Sequence, residues 1–103
     1  MANFSQNYTI AGLETAAFYV PLAGLYTLSG KINLPAARDT GIASNVVTTV
    51  KQNSTTIFTS TAGAPGFSIP FNAAAGDEVQ VILSSSTPED EVLNAVNATI
   101  SLG

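Results

Sequence analysis

From Tyr26 to Leu34 the chain alternates apolar and polar residues with almost no error. Tyr26, Leu28, Ile32 and Leu34 fall on one side, and Thr27, Ser29, Lys31 and Asn33 on the other. Successive side chains of a strand point to opposite faces of its sheet, so a period of two fits a half-buried β-strand and no helix. Pro35 closes the run, because proline has no N–H to give to a ladder. The apolar face requires a core. The other face is small hydroxyls and one lysine, a surface that suits water and a protein neighbour equally.

The same period governs the rest of the chain, and no segment sustains the 3.6-residue period of an amphipathic helix. Short strands are expected at Tyr8–Ile10 and Ala16–Val20, the latter ended by Pro21 and a turn at Gly24. Leu25–Leu34 is the long strand, followed by a loop over Ala36–Ser44. VVTTVKQNSTTIFTS holds two β-branched runs around Gln52-Asn53-Ser54 and reads as a hairpin, since Asn tolerates the left-handed backbone of tight turns. GFSIPF sets Phe67, Ile69 and Phe71 against Ser68 and Pro70, and the proline points to an edge position or a bulge. A turn at Gly76-Asp77 feeds a strand with Val79, Val81 and Leu83 on one face, before a polar loop over Ser84–Glu91. The last run, Asn94–Leu102, places Val96, Ala98, Ile100 and Leu102 on one face and Asn97, Thr99 and Ser101 on the other. About eight short strands with frequent turns define an all-β, two-sheet antiparallel β-sandwich.

A chain of 103 residues makes one domain, and at this length roughly 60–68% of the unfolded surface is buried on folding. The 46% hydrophobic content, with five Phe and three Tyr, supplies a core. Charged residues make up only 10%, against roughly 25% in ordinary soluble domains. Ser, Thr, Asn and Ala take their place, giving a surface that repels its neighbours weakly and suits being covered by protein. The net charge is −4 and the only cations are Lys31, Arg38 and Lys51. Three scattered cations form no basic stripe, which argues against nucleic acid and against anionic membranes as partners.

The residue inventory also narrows the chemistry. There is no cysteine, hence no disulfide and no thiolate metal site, and no histidine, hence no Ser-His-Asp or Cys-His triad. The dispersed glycines match no phosphate-binding loop. Of the carboxylates, Asp77-Glu78 follows Gly76 in a turn, where Asp usually bonds its own backbone. Pro88-Glu89-Asp90-Glu91 reads as a solvated acidic loop, with calcium ligation as the sharper alternative. The chain is therefore read as non-enzymatic, with no cofactor and no metal. MANFSQNYTI lacks the charged and apolar regions of a signal peptide, so synthesis in a cytosol is expected. The Asn-x-Ser/Thr sequons at Asn3, Asn7, Asn53 and Asn97 are then chance.

Several motifs line up in order: V-P-x-A-G-L-Y-x-L-S-G over Val20–Gly30, V-x-x-N over Val50–Asn53, A-A-G-D-E-V-x-V-x-L over Ala74–Leu83, and the closing I-S-L-G over Ile100–Gly103. Over roughly residues 14–103 this resembles the globular domain of the C1q and tumour-necrosis-factor-like superfamily. The resemblance implies a jelly roll over residues 14–103, preceded by an N-terminal arm or leading strand over residues 1–13. It also implies a homotrimer with the polar face of the Tyr26–Leu34 strand near the threefold axis. Thr27, Ser29, Lys31, Ile82, Asn97, Thr99 and Ser101 are the trimer-interface residues expected on that basis.

Compact versions without stalk or cysteine look like the trimeric cement or decoration proteins of tailed-bacteriophage capsids. The expectation is a virion structural protein, made in the host bacterial cytoplasm, that binds the major capsid protein on the outer capsid surface. Phe4, Tyr8 and Ile10 of the N-terminal segment are the expected capsid contacts. A different class of function is a fibre or baseplate knob that binds a host-surface glycan through exposed aromatics beside carboxylates or amides.

Overall fold

The structure, a computed structural model, describes residues 6–34, 45–86 and 96–103. Eight strands form: β1 (Gln6–Ala11), β2 (Thr15–Tyr19), β3 (Gly24–Asn33), β4 (Val46–Gln52), β5 (Thr55–Thr59), β6 (Gly66–Ala73), β7 (Glu78–Ser85) and β8 (Asn97–Leu102). They pair antiparallel in two four-stranded sheets of order β1-β8-β3-β6 and β2-β7-β4-β5. Apart from the β4–β5 hairpin, every connection crosses from one sheet to the other. That is the topology of a jelly roll.

Alternation decides what lies between the sheets. Tyr26, Leu28, Ile100 and Leu102 from the first sheet, with Val46, Val50, Val79 and Val81 from the second, are fully buried there. Each such side chain contributes about 1.5–3 kcal/mol by leaving water. Leu34 is half-buried just beyond the end of β3. Aromatic pairs close both open sides of the sandwich. Tyr8 of β1 stacks on Phe18 of β2 with ring centroids 4.2 Å apart, and Phe58 of β5 stacks on Phe67 of β6 at 5.5 Å.

These placements correct one expectation. Ile10 is buried in the core and Tyr8 is half-buried against Phe18, so both face inward from an edge strand and neither is offered to a capsid. The alternation Tyr8-Thr9-Ile10 belongs to β1, which pairs with β8 from Gln6↔Leu102 to Ala11↔Asn97. Phe4, the third expected contact, lies outside the described residues, as do Arg38, Asp39 and the acidic cluster Glu89, Asp90 and Glu91.

Pro70 does occupy an edge strand, and the register explains why it is tolerated. The N–H and C=O of Thr27, opposite Pro70, are both engaged by Gly103 at 3.1 Å on the other side of β3. Thr27 and Pro70 are thus a non-hydrogen-bonded pair, and the missing N–H of Pro70 faces the open edge. β7 runs to Ser85, further than the expected loop boundary, because Ser84 and Ser85 pair with Val47 and Val46.

The hairpin forms as expected, with Asn53 and Ser54 both at positive φ (51° and 69°), the signature of a type I′ turn. Asp77 ties this hairpin to the rest of that end. Its Oδ1 accepts from Asn53 Nδ2 at 2.9 Å, and its Oδ2 accepts from Gln52 Nε2 at 3.0 Å and the Ala74 N–H at 2.9 Å. The Glu78 N–H donates to Asn53 Oδ1 at 2.9 Å, and the Val20 N–H to the Asp77 carbonyl at 2.9 Å. These bonds hold the Asp77 carboxyl below its ordinary range, the one from Asn53 most of all. Asp77 is structural, joining three connections at one end of the sandwich.

Candidate functional site

The outer face of the β1-β8-β3-β6 sheet is built from the residues that alternate with the core. β3 contributes Leu25, Thr27, Ser29, Lys31 and Asn33, and β8 contributes Asn97, Thr99 and Ser101. Strand pairing sets them in rows: Ser29 lies opposite Ser101, Lys31 opposite Thr99, and Asn33 opposite Asn97. β1 and β6 extend the first row with Asn7 and Ser68. The Ser101 hydroxyl donates to Asn7 Oδ1 at 2.9 Å. Lys31 is the only charged residue in the whole sheet.

A shallow groove of about 330 Å³ runs along the centre of this face, lined by Ser29, Gly30, Lys31, Thr99 and Ser101. Gly30 and Ile100 direct their Cβ positions inward, where a Cβ on Gly30 would meet the Phe67 ring and Ile100 Cδ1. Small hydroxyls on a sheet with a single charge let a second backbone approach closely. The Lys31 ammonium in such a contact needs water or a carboxylate beside it.

Six of the seven expected interface residues thus share one face: Thr27, Ser29, Lys31, Asn97, Thr99 and Ser101. Ile82 does not. It lies on β7, half-buried on the outer side of the other sheet, opposite Thr15 and Thr49. Alternation correctly places Ile82 away from the core, but two sheets have two outer faces, about a sandwich thickness apart. Ile82 therefore cannot join the other six on one surface.

That second outer face carries Tyr19, 67% exposed and directly opposite Glu78. Among the described residues the other exposed large hydrophobics are Leu22, Leu25 and Ile57. Leu25 escaped the sequence reading because its neighbours Ala23 and Gly24 interrupt the alternation that begins at Tyr26.

No family model matches the sequence, and no curated protein matches it. Solved structures do resemble the fold. Rabbit GITRL matches with a TM-score of 0.57 and 20% identity, over 82% of this chain and 68% of that one. Pika GITRL matches with a TM-score of 0.56 and 16% identity, over 84% of this chain and 71% of that one. A β-glucosidase from Paenibacillus barengoltzii matches over 95% of this chain but only 10% of its own length, with a TM-score of 0.54 and 20% identity. At these identities the likeness is one of fold. The chain is a jelly-roll β-sandwich, similar in fold to GITRL.

Proposed function

We propose that the protein is a non-enzymatic structural component of a tailed-bacteriophage virion, a cement or decoration protein that binds the outside of the capsid as a homotrimer and stabilises it. The observation that carries the reading is the outer face of the β1-β8-β3-β6 sheet, a four-stranded surface of hydroxyls and amides with one charge, Lys31. A domain exposed to water on all sides gains solubility from charge. A face nearly without it favours coverage by protein, and the trimer that the C1q/TNF-like resemblance implies supplies that cover from copies of the same chain. The low overall charge fits a second, larger contact with a protein lattice. Burial of roughly 800 Å² per partner suffices for a specific contact, and three linked copies on one shell add avidity.

The capsid contact has no assigned residues, since Tyr8 and Ile10 are committed to the core. The test is co-sedimentation of the purified protein with capsids stripped of their decoration, together with capsid melting. The reading expects pelleting with the stripped shell and a raised melting temperature. A protein that stays in the supernatant and leaves the melting temperature unchanged is not a cement protein.

One observation favours a fibre or baseplate knob that binds a glycan. Tyr19 presents its ring to solvent beside the Glu78 carboxylate and one row from Gln80, the kind of aromatic-plus-carboxylate pair that sugar rings stack against. Binding to host cells that is lost in Tyr19→Ala, with no affinity for capsids, would favour this second reading.

A further inference from the structure

A sheet edge presents unpaired main-chain N–H and C=O groups, and natural domains protect such edges with proline, charge, a bulge or a covering group. The two edges on the β5/β6 side of the sandwich are protected in this way. β6 carries Pro70, and its Asn72 carbonyl accepts from Gln52 Nε2 at 2.8 Å. β5 pairs with β4 through a bulge at Val50/Lys51. β2, at the other edge of the β2-β7-β4-β5 sheet, has none of these devices. Thr15–Tyr19 holds no proline and no charge, and it pairs with β7 in an unbroken register from Thr15↔Ile82 to Tyr19↔Glu78.

The hydrogen bonds at both ends of β2 show which of its groups are left over. The Leu83 N–H donates to the Glu14 carbonyl at 3.0 Å, and the Val20 N–H to the Asp77 carbonyl at 2.9 Å. Bonded and non-bonded pairs alternate along an antiparallel ladder, so Ala16 and Phe18 also bond β7. The N–H and C=O of Thr15, Ala17 and Tyr19 therefore point away from the sheet. All three residues are exposed, and among the described residues no strand lies beyond them. Donors and acceptors alternating at strand spacing match another extended main chain.

Charge selects whose chain that is. Glu14 is exposed at one end of β2, and Glu78 lies directly opposite Tyr19 at the other. The lysine of this sheet, Lys51, is on β4, with β7 between it and β2. Antiparallel pairing with a second copy would bring Glu14 of one chain toward Glu78 of the next, and like charges facing each other destabilise a strand pair. β1, the other edge on this side, has no carboxylate in its sheet and makes no such selection. We propose that the outer edge of β2 is a docking site for an extended segment of another protein, with a lysine or arginine at each end, which joins the sheet as a fifth strand. Its main chain bonds Thr15, Ala17 and Tyr19, and its cations meet Glu14 and Glu78. The site is separate from the outer face of the β1-β8-β3-β6 sheet and stands whether or not that face self-associates.

Amide hydrogen exchange of the full chain, read by NMR, tests this with two synthetic peptides, Lys-Val-Thr-Val-Thr-Val-Lys and Glu-Val-Thr-Val-Thr-Val-Glu. In the free protein the Thr15, Ala17 and Tyr19 amides should exchange fast, and those of Ala16, Phe18 and Val20 slowly. At about ten times its Kd the lysine peptide should slow the first three by about ten-fold. The glutamate peptide should bind about five-fold more weakly, and Glu14→Lys/Glu78→Lys should reverse that order. Ala17→Pro removes an outward N–H where an edge strand tolerates proline, so it should keep its β circular dichroism spectrum and lose the lysine peptide. Should Ala17→Pro fail to fold, the charge-reversed variant decides. No protection of the three amides by either peptide overturns the site, and equal affinity for the two overturns the basic occupant. Protection that grows with the protein's own concentration in the absence of peptide makes a second copy the occupant and overturns the proposal as well.

Discussion

The Phe67 ring of β6 lies directly over the position where Gly30 of β3 has no side chain. The two residues are opposite each other in the ladder, and a Cβ built on Gly30 falls 2.8 Å from Phe67 Cζ and 3.0 Å from Ile100 Cδ1. Phe67 in turn stacks on Phe58 of the other sheet, so the absent side chain makes room for the ring that closes this side of the sandwich. Gly30→Ala is expected to destabilise the protein by about 1–3 kcal/mol through overpacking. In Gly30→Ala/Phe67→Leu, where the obstructing ring is gone, the two costs should add to less than their sum. Urea denaturation of the four proteins measures the coupling, and strict additivity would contradict the contact.

Asp77 gives the protein a defined acid response. Its carboxyl is held below its ordinary value of 3.8 by bonds from Asn53, Ala74 and Gln52. The unfolded chain therefore takes up the proton first as pH falls. The stabilisation is fully present above that ordinary value and is lost as pH drops through the lower, folded-state value. Asp77→Asn should melt lower than wild type at neutral pH and show a shallower fall in melting temperature below pH 4. Parallel melting curves against pH for the two proteins would contradict the role given to Asp77.

The Tyr8–Phe18 stack makes the opposite prediction at alkaline pH. Burial raises the Tyr8 hydroxyl above its ordinary value of 10.0, so the neutral form is the one the fold accommodates. Stability is complete below pH 10 and falls as the pH rises through the folded-state value. Tyr8→Phe, which keeps the ring, should match wild type at pH 7 and exceed it above pH 10. Tyr8→Ala should cost about 2 kcal/mol at pH 7, from lost burial and stacking, and less above pH 10, where wild type itself loses stability at this site.

The hairpin turn separates two residues with the same backbone. Asn53 and Ser54 both have positive φ, yet only Asn53 uses its side chain, bonding Asp77 and Glu78. Ser54→Gly should stabilise, because the Cβ penalty it relieves at positive φ, about 1–2 kcal/mol, exceeds glycine's extra entropy cost of about 0.5–1 kcal/mol. Asn53→Gly should not stabilise, since it gives up those two bonds. Thermal melting of the two variants distinguishes them.

The strands and the core were legible because alternation is a local signal. Tyr26 and Leu28 announce the inner face of β3 from a few neighbours, and Asn53-Ser54 announces its turn. The failures lie where the deciding contact is remote in sequence. Ile82 was correctly turned away from the core but assigned to the wrong outer face, because nothing within β7 says which sheet it joins. Tyr8–Ile10 reads locally as a short strand, but nothing near it shows that its inner face is covered, because β1 finds its partner only at Leu102–Asn97, at the far end of the chain. Asp77 was expected to serve its own turn, and its bonds to Gln52 and Asn53, 25 and 24 positions away, carried no local trace.

Self-association through the outer face of the β1-β8-β3-β6 sheet is the claim on which the functional reading turns. Ser29 sits at its centre, in the groove and opposite Ser101. The most direct measurement is the mass in solution, by light scattering, of wild type and Ser29→Glu. The account predicts about three times the 10.5 kDa of one chain for wild type and a folded single chain for Ser29→Glu. A threefold mass that persists in Ser29→Glu, or a single-chain mass in wild type, would contradict it.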